Sequence, residues 1–86
     1  MATKEQYEYL RKVEGTLHAV EALLTSEQVR NVQHLIDHGE PAEGLCELAW
    51  IIHNGQKAVP REVKQAIREL VQGLVADEHM PEDFGR

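Results

Sequence analysis

Between Lys4 and Leu24, apolar side chains recur three and four residues apart, at Tyr7, Leu10, Val13, Leu17, Val20 and Leu24. That spacing draws one stripe along an α-helix that packs on other helices. Residues 1–3 ahead of it are expected to fray. Gly15 lies within the stretch and costs about 1 kcal/mol against alanine, which leaves a bend or break near Glu14-Gly15 open. Tyr9 and His18 fall off the stripe, and His18 reads as a surface residue.

Three more helical patterns follow. Thr25-Ser-Glu-Gln28 has the form of a capping box, a threonine cap with a glutamine three residues on. After it, Val29, Val32, Leu35 and Ile36 make the inward face of a short helix ending at His38-Gly39. Gly39 suits the left-handed end of that helix, and Pro41 suits the first turn of the next. Leu45, Leu48, Ala49 and Ile52 then repeat at i, i+3, i+4, i+7, a buried stripe. Asn54-Gly55 signals the turn that stops it. Pro60 opens the last helix, where Val63, Ala66, Ile67, Leu70, Val71 and Leu74 form the apolar side and Lys57, Arg61, Lys64 and Arg68 the polar one. Gly73 weakens its last turns. Pro81 ends any continuation, and residues 77–86 read as a polar tail with two apolar handles, Met80 and Phe84.

No segment alternates with period two, so no sheet is expected. The pattern predicts an all-α fold: a small antiparallel bundle of four helices, over 4–24, 26–38, 41–53 and 60–76, with a short polar C-terminal tail. At 86 residues the chain makes one domain, 1–86, with a single modest core.

Charge changes this picture more than composition does. The formal net charge is −6. No Lys or Arg lies between Arg30 and Lys57, while Asp37, Glu40, Glu43 and Glu47 all fall there. Past Arg68, five acids precede the next cation, Arg86. Nucleic-acid affinity comes mainly from Lys and Arg neutralising phosphates, so direct nucleic-acid binding is not expected. An acidic surface serves solubility, and it also suits a basic protein partner by steering association. The longest apolar run, Leu48 to Ile52, is far short of the ~20 residues of a membrane span, so no membrane partner is expected. With a polar N-terminus and one cysteine, the expected location is the cytoplasm.

Candidate chemistry is sparse. His34 and His38 sit one helical turn apart, the spacing that lets two imidazoles share a metal. A zinc site needs further ligands that the pattern does not supply, so no metal or other cofactor is expected. Cys46 has no CxxC partner and reads as a small core hydrophobe. No phosphate loop, nucleophile elbow or Ser/His/Asp arrangement is present, and catalysis is not expected. What stands out is a second stripe on the third helix, Glu43, Glu47, Trp50 and Asn54, which mixes carboxylates with the chain's one indole. The helix dipole accounts for acids near its N-terminus, but less easily for Glu47. Trp50 suits two roles equally, a core anchor or an interface hot spot.

Residues 32–75 resemble the small helical immunity proteins of bacterial polymorphic toxin systems, of the MafI type. The resemblance lies in His38-Gly-Glu-Pro-Ala-Glu-Gly-Leu-Cys-Glu-Leu48, in Ala58-Val-Pro-Arg-Glu-Val63, and in the stripe Ile67, Leu70, Val71. Gly44 and Ala58 depart from it: a helix former and a polar cap would be usual at those places. The resemblance implies an antidote that binds a cognate protein toxin and occludes its active or substrate-binding surface. On that reading, Glu43 and Glu47 pair with cations on the toxin and Trp50 supplies buried area. Asp37, Glu40 and His53 border the patch. Two alternatives stay open: a homo-oligomeric or adaptor bundle without catalytic activity, such as a homodimer formed through the seam of the first helix, and a metal-responsive regulator built on His34 and His38.

Overall fold

The computed structural model describes residues 3–84. Helix α1 runs Lys4–Val20, α2 Ser26–Asp37, α3 Pro41–Asn54 and α4 Arg61–Val71. Single 3₁₀ turns follow at Glu21–Leu23, Asp77–His79 and Glu82–Phe84. Among the described residues there is no strand. The radius of gyration, 12.0 Å, is what a single domain of this length should have. No helix is long and apolar enough to cross a membrane.

Both ends of α2 follow from local chemistry. Thr25 accepts from the Gln28 amide while the Gln28 side chain accepts from the Thr25 amide, a reciprocal cap. At the far end, Gly39 (φ 81°) donates to the Ile36 carbonyl and Glu40 donates to that of Leu35. These two bonds make a Schellman motif, and Pro41 then begins α3. A second capping box, Thr3 with Gln6, opens α1. Thr3 is therefore tied down rather than frayed; residues 1 and 2 lie outside the described range.

Helix α1 is continuous through Gly15 but ends at Val20, short of the expected Leu24. The reason is the neighbouring cap. Thr25 must be extended (φ −75°, ψ 161°) to reach Gln28, so the backbone unwinds through the 3₁₀ turn and Leu24 is already extended. Within α1 the buried positions are Val13, Thr16, Leu17 and Val20, whereas Tyr7 is exposed and Leu10 half-buried. The seam thus lies around Thr16 rather than along Tyr7. Its hydroxyl stays satisfied by donating to the Lys12 carbonyl.

Helix α4 also ends early, at Val71 rather than residue 76. Gln72 (φ −58°, ψ 127°) and Gly73 (φ 80°) form the centre of a turn closed by the Leu74 amide on the Val71 carbonyl. This is type II geometry, whose third position favours glycine. Gly73 therefore terminates the helix rather than merely weakening it. The turn sends Leu74 to the surface, 63 % exposed, and returns Val75 to the core.

The core is built from Val13, Leu17, Val20, Val32, Ile36, Leu45, Leu48, Ala49, Ile52, Ile67 and Val71, closed by Val75, Met80 and Phe84. Helices α2 and α3 share the most extensive contact. Gly44 makes it possible: a Cβ there would lie 3.1 Å from Ile36 Cγ1 and 3.2 Å from the Val32 carbonyl oxygen. The unexpected glycine in α3 thus lets the two helices pack closely, since a Cβ there would require Ile36 or the Val32 backbone to give way by a few tenths of an ångström.

Candidate functional site

The segment after α4 decides what α3 presents outward. Residues 77–84 are not a free polar tail: Met80, Pro81 and Phe84 are buried. Met80 and Phe84, four residues apart, enter the core while the His79 carbonyl and the Asp83 carboxylate bond to α3 and α4. Trp50 Nε1 donates to the His79 carbonyl at 2.7 Å, and Cys46 Sγ lies 3.6 Å from the same oxygen. His53 Nδ1 is 2.9 Å from Asp83 Oδ1; a carboxylate accepts only, so Nδ1 carries the proton. Lys64 Nζ donates to Asp83 Oδ2 at 2.9 Å and stands 5.5 Å from the Phe84 ring centroid.

These contacts set the electrostatics. The Lys64 hydrogen bond holds the Asp83 carboxyl below the usual aspartate range; partial burial opposes this and His53 reinforces it. Burial pushes the Cys46 thiol up, and the nearby Glu43 and Glu47 carboxylates push it further. A thiol so placed is mainly protonated at neutral pH and is a poor nucleophile. Cys46 is half-buried and packs against the core from its edge rather than within it.

The six residues singled out in the sequence do not form one cluster. Trp50 is 37 % exposed, its ring edge-to-face with His53 at 5.6 Å and 89°. It is not a buried core anchor: its N–H is fixed by the chain while part of its ring faces solvent. Glu43 and Glu47 are exposed on α3, two turns and one turn before it respectively, with no ion-pair partner among the described residues. Glu40 is the exposed N-cap of α3 and makes no capping bond with its side chain. Asp37 ends α2 and accepts from Gln33 Nε2 at 2.9 Å. Thirteen residue steps along α3, about 20 Å of helix axis, separate Glu40 from His53. Asp37 and Glu40 thus lie at one end of an acidic strip and Trp50 and His53 at the other.

Three residues that the sequence did not connect to this surface belong to it: Lys64, His79 and Asp83. The i, i+4 spacing of Met80 and Phe84 was the available signal that the tail docks. The partners of Trp50 and His53 were not readable, because they join positions about thirty residues apart. Tyr9 was missed in the same way: its hydroxyl donates to the Leu70 carbonyl at 2.7 Å, tying α1 to the end of α4.

His34 and His38 stack at 4.0 Å between ring centroids, and His38 Nδ1 bonds to the His34 carbonyl at 2.8 Å. That nitrogen is therefore occupied by backbone. Among the described residues, no group of three or more His, Cys, Asp or Glu side chains is arranged to hold a metal ion.

The class defined by these features is a four-helix domain with an acidic, part-aromatic face on α3, braced by its own C-terminal segment. Comparison with protein-family models, curated proteins and solved structures finds no match to the chain.

Proposed function

We propose that this protein is an immunity (antitoxin) module that binds a cognate bacterial protein toxin and occludes it through the acidic face of α3. One observation carries the reading: Glu43 and Glu47 stand exposed without a cation partner among the described residues, in line with a tryptophan whose orientation is fixed by the His79 carbonyl. Like charges one helical turn apart are mildly destabilising in the free protein, and a cationic partner surface would relieve that. A preset aromatic beside them supplies contact area without the cost of ordering a side chain on binding. The toxin then presents a basic surface, such as a groove that handles nucleic acid. The module works in the cytoplasm, without catalysis or cofactor, and the resemblance over residues 32–75 points the same way.

Co-expression with the product of the adjacent reading frame tests this. Rescue of growth and a stoichiometric complex are the expected results. A harmless neighbour, or killing that the protein does not prevent, would overturn the proposal.

A second reading, a homodimeric bundle, is favoured by the exposed Tyr7 on α1 and Leu74 after α4. Sedimentation of the purified protein separates the two, since only this reading requires self-association.

A further inference from the structure

A groove of about 600 Å³ lies where the first half of α1, the α2–α3 junction and the turn after α4 meet. Its apolar lining includes Tyr9, Leu10, Pro41 and Leu74, and Glu5 and Asp37 stand among them. No Lys, Arg or His is among the lining residues. Two features keep it open. The Tyr9 hydroxyl is anchored on the Leu70 carbonyl, which fixes the ring as part of the wall. The type II turn at Gly73 holds Leu74 out in solvent, 63 % exposed, instead of folding it into the core with Val75.

The geometry points to this groove as a docking site for a cationic amphipathic helix of a partner protein. One apolar side chain of that helix enters between Tyr9 and Leu74, and Lys or Arg one turn away meets Glu5 and Asp37. Charge complementarity selects this occupant. The first turn of α1 carries Glu5 and the last residue of α2 is Asp37, so a neutral or acidic segment would bury apolar surface beside carboxylates that have no ion-pair partner among the described residues. An apolar anchor flanked by cations at i±3 or i±4 satisfies both parts of the groove. Asp37 thus belongs to this groove rather than to the Trp50 end of α3. The inference rests on the proposed function only in taking the partner to be a protein, for the groove is a separate surface.

The test uses ¹⁵N-labelled protein titrated with a helical Leu/Lys amphipathic peptide, with a Leu/Glu peptide of equal length as control. Amide shifts at Tyr9, Leu10, Asp37 and Leu74 are expected with the Leu/Lys peptide and not with the control. Leu74→Ser and the double neutralisation Glu5→Gln/Asp37→Asn should each weaken binding roughly tenfold. Leu74 is exposed, so circular dichroism should show its variant folded. Shifts confined to Glu43, Glu47 and Trp50, or affinities unchanged in both variants, would overturn the groove and leave the α3 reading standing. A concentration-dependent dimer abolished by Leu74→Ser, without peptide binding, would assign the groove to a second copy of this chain and overturn the inference. A neighbouring gene product that is no toxin would remove the immunity reading without altering this titration.

Discussion

Gln56 occupies the one left-handed backbone position taken by a residue other than glycine among the described residues, at φ 49°. Its amide donates to the His53 carbonyl and that of Lys57 donates to Ile52, so α3 ends in the same Schellman motif as α2. The sequence pointed to Asn54-Gly55 for this turn, and the helix does stop there. The left-handed position falls one residue later because Gly55 still has right-handed geometry (φ −83°). Gln56→Gly should remove the strain of a Cβ at positive φ and stabilise the protein by about 0.5–1 kcal/mol in urea unfolding.

Asp83 gives a second expectation for a single residue. Its folded-state pKa lies below the ordinary aspartate value of about 3.9, so its bonds to Lys64 and His53 favour the folded state above that value. That contribution is lost as pH falls through the folded pKa. The groups are substantially exposed, so the effect on global stability is small and screened by salt. A carboxyl NMR titration should place Asp83 below exposed aspartates, and Lys64→Met should move it back up. Coincidence of the two titrations would refute the assignment.

Among the elements, the C-terminal segment departs most from its appearance in sequence. Its composition is acidic and its two apolar residues seem too few to matter, yet Met80 and Phe84 are 4 % and 3 % exposed. They close a core that the four helices leave open between α3 and α4. Phe84→Ala should therefore cost about 3 kcal/mol or more, as a buried phenylalanine does, and should expose the segment to protease. A loss below about 1 kcal/mol would show that the segment merely rests on the surface.

The helices themselves were legible because periodicity and caps are local. Thr25-Gln28, Gly39-Pro41 and the Leu45-Leu48-Ala49-Ile52 stripe act within a few residues, and each appears as read. The ends of α1 and α4 were not, because what stops them is the backbone geometry demanded by Thr25 and Gly73 rather than a loss of apolar spacing. Gly44 was visible only as an anomaly until α2 lay against it. The acidic character of the α3 face was legible from the absence of Lys and Arg over residues 31–56. Its brace was not, since Trp50 meets His79 and His53 meets Asp83 only after the chain has folded back.

At the scale of the whole molecule, the −6 charge is unevenly distributed. Lys64 of α4 pairs with Asp83, while the exposed carboxylates of α3 have no ion-pair partner among the described residues. Such asymmetry steers a positively charged partner toward one side and speeds association at low ionic strength. It also separates two surfaces, the strip of Glu43, Glu47 and Trp50 and the groove at Tyr9 and Leu74, which different parts of one partner could engage together.

The most direct measurement is the association rate of the protein with the proposed toxin partner, the product of the adjacent reading frame, for the natural sequence and for Glu43→Lys/Glu47→Lys, at low and high salt. The expected result is a rate that falls steeply with salt for the natural protein. The double variant should bind at least about 100-fold more weakly, with unchanged helical content, because charge reversal sets like charges against each other at the contact. An affinity and salt dependence that the double variant leaves unchanged would contradict binding through α3.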